Sequence, residues 1–368
     1  MQSDNQNKTY LLDHSFEELI SFVEQLGLEK FRSRQLFRGI YVDNLVDFSR
    51  LTTISKTLRQ ELDQKTMIRS LKLVQSTRSP YDATTKFLWE LADGMKIESV
   101  IIYEGKRITY CISSQVGCAL DCRFCATGKM GFLRNLSCGE IVEQVLVMKE
   151  TDRGLPTNIV FMGMGEPLLN LKNVLKASFL ISDPEGLAFA RKKITISTSG
   201  IVSGIRNLAD WNAPFSLAVS LNAVFQEKRL KIMPVASLYP LPELEEAIYY
   251  YVRKLRRRVT FEYILIQGIN DSKSDADRLL KLTSRIPCKI NLIPCNSTDP
   301  EFPPPPPDRI IWFRDYLNEH QRTVMVRLRK GWEIQAACGQ LYSENNTRTG
   351  TKIASLAKIK KTIKPEIK

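Results

Sequence analysis

The chain has 368 residues, enough for one large domain and a smaller one, and its 43% hydrophobic and 25% charged residues are those of an ordinary globular protein. No apolar run reaches about 18 residues, so no transmembrane helix is expected, and the polar stretch from Met1 to Thr9 predicts no signal peptide. The formal charge of +13 favours a polyanionic partner such as nucleic acid, with a basic surface kept for solubility as the plainer account.

Residues 11–65 read as helical. Ser15-Phe16-Glu17-Glu18 is a capping box, and Leu19, Ile20, Phe22, Val23 and Leu26 recur on one helical face. A second helix starts near Lys30, with Phe31, Leu36, Phe37 and Ile40 inward and Lys30, Arg32, Arg34 and Arg38 outward. A third covers residues 55–62. The outward cations suit phosphate binding, or are a solvated surface.

From Leu71 the pattern becomes strand-like. Residues 71–74 and 85–91 run apolar or alternate, and Asp93-Gly94 marks a tight turn before residues 96–103. Six further strands are predicted at 108–112, 158–162, 194–197, 215–220, 259–265 and 289–293. Helices are predicted at 137–150, opened by a capping box at Ser137 and Glu140, and at 173–181, 244–256 and 275–284. Strand and helix alternate, so a parallel sheet in an open or closed α/β barrel is expected. Prolines 303–307 predict a stiff extended connector, and residues 323–328 a last strand. The expected organisation is a helical domain at 1–70, a β-hairpin linker at 71–103, a core at 104–342 and a basic tail at 343–368. The tail carries Lys358, Lys360, Lys361, Lys364 and Lys368.

The most informative stretch is Cys118-Ala119-Leu120-Asp121-Cys122-Arg123-Phe124-Cys125, directly after the first core strand. Three thiolates from one loop, with no fourth beside them, suggest an iron–sulfur cluster with one iron left open. A structural zinc site needs four ligands, and His14 and His320 are far away in sequence. A disulfide framework does not suit a chain of this length without a secretory signal, so the eight cysteines point to a reducing, cytoplasmic setting. One or two buried thiols are common in cores, but three at this spacing, between Gly117 and Gly128, are not.

In Met162-Gly163-Met164-Gly165-Glu166-Pro167, small residues admit a ligand and Glu166 can accept from an ammonium group. Ser197-Thr198-Ser199-Gly200, Ser220-Leu221-Asn222 and Asn296 follow the third, fourth and sixth strands. Singly each is a turn or cap; together at one barrel mouth they suit a nucleoside. Cys111 ends the first strand, and Cys338 sits among small residues in Ala336-Ala337-Cys338-Gly339-Gln340. Cys138, Cys288 and Cys295 have no such context and read as core thiols.

The cluster motif, preceded by Cys111-Ile112-Ser113-Ser114-Gln115-Val116-Gly117, the two loops above, Cys288-Lys289-Ile290-Asn291-Leu292-Ile293-Pro294 and Ala337-Cys338-Gly339-Gln340-Leu341 together resemble the RlmN/Cfr family of radical-SAM RNA methyltransferases. The resemblance runs from about Phe16 to Leu341. It implies a partial (β/α)6 radical-SAM barrel with a small N-terminal helical RNA-binding domain. It implies methylation of adenine C2 in 23S rRNA, at the peptidyl transferase centre, and in tRNA beside the anticodon.

Carried onto this chain, the resemblance assigns Cys118, Cys122 and Cys125 to a [4Fe–4S] cluster. It assigns Gly165, Glu166, Ser197, Ser220, Leu221, Asn222 and Asn296 to S-adenosylmethionine (SAM). Cys338 matches the cysteine that becomes S-methylated, Cys111 its resolving partner and Glu98 the proton acceptor. Where the family commonly has histidine, this chain has Asn222, which puts that contact in question.

Adenine C2 is electron-poor and its C–H is not acidic, so radical chemistry is needed there. Two SAM molecules per turnover are implied, one methylating Cys338 and one yielding a 5′-deoxyadenosyl radical. An electron donor such as flavodoxin and a thiol reductant are implied as partners, and a monomer away from membranes is expected. Methylation at C8 of the same rRNA adenine uses the same residues and stays open, as does the remoter reading of a zinc-bound RNA-binding protein without activity.

Overall fold

The computed structural model describes residues 8–342 except 153, 298, 321 and 328. The predicted basic tail lies outside the described residues. Helices α1 (Phe16–Gln25), α2 (Phe31–Tyr41) and α3 (Lys56–Lys65) form the N-terminal part. Ser15 caps α1 through the expected capping box with Glu18, and Ser55 caps α3. Leu19, Val23, Leu36, Phe37 and Ile40 are buried as the periodicity gives, but Phe31, expected inward, is the first residue of α2 and is 53% exposed, with the Arg32 guanidinium over its ring. Arg34 on the outward face of α2 pairs with Glu185 at 3.4 Å.

Ten strands form one open mixed sheet, ordered strictly by sequence. They are β1 (Lys72–Arg78), β2 (Thr85–Glu90), β3 (Lys96–Glu104), β4 (Arg107–Cys111), β5 (Asn158–Phe161), β6 (Ile194–Thr198), β7 (Ser216–Ser220), β8 (Val259–Leu265), β9 (Cys288–Pro294) and β10 (Val324–Val326). β4 to β10 run parallel, while β1 to β4 form an antiparallel meander on the same sheet. The segment read from sequence as a hairpin is thus three strands continuous with the main sheet. The α/β class is as expected, and the sheet does not close into a barrel among the described residues.

The crossover helices are α4 (Cys138–Asp152), α5 (Leu171–Ile181), α6 (Val202–Asp210), α7 (Gln226–Ile232), α8 (Leu241–Leu255), α9 (Lys273–Thr283) and α10 (Pro307–Glu319). Pro307 opens α10 as its first residue, where a missing N–H costs nothing, so the stiff connector ends one residue early. Parallel strands covered by helices are buried, which explains their near-continuous apolar runs, as in Val259, Phe261, Tyr263 and Leu265 of β8. The N-terminal part docks through Glu143 of α4. This buried carboxylate accepts from Tyr10 Oη and from the backbone N–H groups of Ser70 and Leu71. No helix of the described residues is long and apolar enough to cross a membrane.

Candidate active site

The C-terminal ends of β5 to β9 face one cavity. The cysteine loop forms one wall. Its shape depends on Gly117, whose φ of +74° is in the left-handed region and where a Cβ would sit 1.9 Å from the Gly131 carbonyl oxygen. Cys118 N–H donates to that oxygen at 2.8 Å, and Cys125 N–H to the Cys122 carbonyl at 2.9 Å. Arg123 N–H donates to Ile232 O at the end of α7, and Ala126 N–H to Gly339 O. The second bond fastens the cysteine loop to the Cys338 segment.

Cys118, Cys122 and Cys125 all line this cavity and are free thiols. Burial raises all three pKa values, that of Cys122 to about 12, and the neighbouring cysteines raise Cys118 and Cys122 further. Thiols so crowded ionise only with a positive partner. Among the described residues no three His, Cys, Asp or Glu side chains converge on a point that would hold one metal ion. Three soft thiols lining one cavity suit a cluster, whose ligands attach to separate irons. The residues present therefore fit the [4Fe–4S] group that the resemblance implies.

Gly165, Glu166, Ser197, Ser220 and Asn222 line the same cavity. Glu166 is 2% exposed. Its carboxylate accepts from Ser199 N–H at 2.7 Å and Leu168 N–H at 3.1 Å. Burial nevertheless raises its pKa to about 7, against the pull of those bonds. Leu221 is buried and does not line the cavity; its backbone holds the loop through Glu262 O. Asn222 takes φ +56°, which asparagine tolerates better than most residues. Both ends of its amide are used internally, Oδ1 by Ile264 N–H at 3.0 Å and Nδ2 by Met233 Sδ at 3.3 Å. Its side chain is a brace for the β7 and β8 ends.

Asn296 lies elsewhere. It lines a second cavity, together with Cys111, Arg107, Arg327, Arg329 and Lys330. Met162, Ile293, Cys338 and Leu341 line both cavities, so Cys338 stands between them. Cys338 reaches solvent through these openings while protein surrounds it closely, and that desolvation pushes its thiol up to about 12. Cys111 is buried and is likewise raised to about 12.

Glu98 is not brought to the thiols. It faces a separate cavity, where Lys86 Nζ pairs with it at 3.0 Å and Tyr342 N–H donates to it at 2.9 Å. Burial raises its pKa against the pull of Lys86.

Sequence reasoning missed two residues. Arg229 of α7 is 0% exposed and has no carboxylate partner among the described residues. Its guanidinium donates to Ser199 O at 2.6 Å and Leu221 O at 3.2 Å, while Nη1 has no partner. Burial lowers its pKa to about 10, offset by the attraction of Cys122. Within Lys228-Arg229-Leu230-Lys231 nothing marks it out from a surface charge. Glu262 of β8 is buried in the cavity wall, held by Asn291 Nδ2 at 2.9 Å, with Oε2 unpartnered. Its signal was legible: a carboxylate inside an apolar parallel strand is costly unless used.

Comparison with known proteins agrees with this geometry. The family model described as "Radical SAM superfamily" matches residues 112–280, and "Ribosomal RNA large subunit methyltransferase N-terminal domain" matches residues 9–68. The chain is 44% identical over 335 residues to a "Dual-specificity RNA methyltransferase RlmN" of Geotalea uraniireducens (strain Rf4), covering 91% of this chain and 96% of that protein. It is 43% identical over 331 residues to a "Probable dual-specificity RNA methyltransferase RlmN" of Thermotoga sp. (strain RQ2), covering 90% and 96%. The crystal structure of a radical SAM methyltransferase from Sphaerobacter thermophilus superposes with a TM-score of 0.87 at 39% identity, over 90% of this chain and 99% of that one. Likeness of this extent, running through both the cysteine loop and the helical N-terminal part, means that the chain belongs to the RlmN family of radical-SAM RNA methyltransferases.

Proposed function

We propose that this protein methylates C2 of adenine in 23S rRNA and in tRNA through an S-methylated Cys338. One observation carries the reading: Cys338 lies between the cavity that holds the three cysteines and a basic cavity that holds Cys111. A thiol so placed can take a methyl group on one side and hand it over on the other.

When bound, the cluster held by Cys118, Cys122 and Cys125, together with SAM, would supply the radical chemistry that an unreactive C2–H demands. Glu166 faces the same cavity as a carboxylate suited to the methionyl ammonium. The first transfer is a displacement: the Cys338 sulfur attacks the methyl carbon of one SAM, the S–CH3 bond forms, and S-adenosylhomocysteine leaves. A thiol raised to about 12 is a poor nucleophile at rest. The positive sulfonium of the arriving methyl donor favours its thiolate, so ionisation is coupled to substrate binding.

Once the S-methyl group has lost one hydrogen atom to the radical and its carbon has joined C2, the adduct must lose one electron, which the cluster would take back, and a base must take the C2 proton. Glu98 has a raised pKa suited to accepting one, and to reach it must give up its bond from Tyr342 N–H. Release then needs the Cys111 thiolate to attack the Cys338 sulfur. An S–S bond forms, the S–CH2 bond breaks, and its electron pair stays with the carbon bound to RNA, which takes up a proton to become the methyl group. A thiol reductant must restore both cysteines, and a second SAM is consumed in each cycle.

Cys111→Ala tests the route. It should trap a covalent protein–RNA species that survives denaturing electrophoresis, while Cys338→Ala should form none. Normal turnover by Cys111→Ala would remove Cys111 from the pathway.

A further inference from the structure

Two exposed aromatic residues lie on the loops next to Arg329 and Lys330 of the basic cavity. Tyr81, in the turn between β1 and β2, is 82% exposed, and Trp332, in the loop before Cys338, is 56% exposed. The two loops are fastened together, since Gly331 N–H donates to Asp82 at 3.0 Å. Gly331 has φ +63°, and a Cβ there would meet Thr84 at 2.7 Å, so this close approach is built into the backbone. Arg329 and Lys330 precede this turn and line the cavity with Arg107. None of these three cations has an ion pair among the described residues. Arg329 is aimed by one bond to Cys295 O at 2.8 Å, and Arg107 Nε is buried without a partner.

Cations at the mouth with flat aromatic faces beside them are the two parts of a single-stranded nucleic-acid site. We infer that the β1–β2 turn and the loop before Cys338 form a cradle for the unpaired RNA strand that carries the target adenosine. Backbone phosphates rest on Arg107, Arg329 and Lys330, and bases next to the target stack on Trp332 and Tyr81. The inference rests on the RNA methyltransferase reading and adds to it the surface that holds the unpaired strand. Placing the stacking surface on the segment that carries Cys338 couples strand capture to the position of the sulfur. A base reaches the cavity only by leaving its helical stack, and the aromatic faces offset that loss.

The test uses the cluster-loaded full chain under anaerobic conditions. Binding of a stem–loop RNA with an unpaired adenosine is compared with that of the same strand fully duplexed, at several salt concentrations. Trp332→Ala and Tyr81→Ala each weaken stem–loop binding roughly 5- to 100-fold and leave the salt dependence unchanged. The double variant Arg329→Gln/Lys330→Gln lowers the slope of log affinity against log salt by about 1.4. Trp332→Phe keeps most of the affinity, which separates stacking from a merely structural role. All four positions are at the surface or the cavity edge, and unfolding curves equal to the parent's confirm intact folding. Variants that bind the stem–loop as the parent does, with the same slope, overturn the cradle while the methyltransferase reading stands. A parent protein that neither binds nor methylates RNA overturns both.

Discussion

Glu166 gives the sharpest quantitative expectation. Its carboxyl is fully enclosed, and desolvation raises its pKa from 4.5 to about 7. That shift corresponds to about 3 kcal/mol against ionisation at neutral pH. The unfolded chain releases this proton near pH 4.5 and the folded chain near pH 7, so between those values the folded state holds more protons. Stability from this group is fully present below about pH 4.5 and falls by about 3 kcal/mol as pH rises through 7. A ligand ammonium reverses the balance by favouring the carboxylate. SAM affinity should therefore rise close to tenfold per pH unit from about 5.5 to 6.5 and level off above about 7.

Glu166→Gln should abolish that slope and weaken SAM at about pH 7.5. In the SAM-free protein the same substitution removes the ionisation penalty. It also turns an amide N–H toward a backbone donor, Leu168 or Ser199, at a cost of about 1–3 kcal/mol. The net expectation is a stability between unchanged and about 2 kcal/mol higher at pH 8, with ligand binding lost. Equilibrium dialysis across pH and denaturant unfolding at pH 8 read the two halves. A SAM affinity flat from about pH 5.5 to 7.5 would refute the reasoning, because an ionised Glu166 would then not be needed.

Gly117→Ala should destabilise the cysteine loop by about 2–5 kcal/mol, since both the left-handed φ and the close Gly131 oxygen oppose a Cβ. Bound iron and sulfide after reconstitution should fall with it, and parent-like iron content would show that the loop tolerates rebuilding. Arg229→Met should leave the cluster-free protein within about 2 kcal/mol of the parent, because the lost bonds to Ser199 O and Leu221 O are offset by removal of an unpaired buried charge. The loaded protein should lose the positive charge beside Cys122, giving a more negative reduction potential in a titration followed by electron paramagnetic resonance. Equal potentials with a large stability loss would make Arg229 a packing residue only.

Much of this was legible because the patterns that make the sheet are local. The apolar runs of β4 to β9 follow from burial on both faces, and the capping boxes at Ser15 and Ser137 reflect bonds within one turn. Helices α6, α7 and α10 were not predicted; α7 has only seven residues and several cations, and α10 begins on a proline that reads as connector. That the segment at 71–103 extends the main sheet could not be read from its own residues, since the pairing of β3 with β4 is decided by neighbours.

At the site, the cysteine loop and the Glu166 turn announce their chemistry through spacing. Arg229 does not, because its isolation from carboxylates is a property of the folded interior. The positions of Asn296 and Glu98, apart from the first cavity, were equally invisible, since each is set by contacts with the segment around Cys338.

The central claim is the identity of the methylated carbon. The decisive measurement is an anaerobic incubation of the reconstituted protein with SAM, a reductant and 23S rRNA or tRNA, followed by mass spectrometry of the digested nucleosides. The account predicts 2-methyladenosine, absent with Cys338→Ala. 8-Methyladenosine would contradict the C2 assignment, and unmodified RNA from a protein that carries its cluster would contradict the proposed function as a whole.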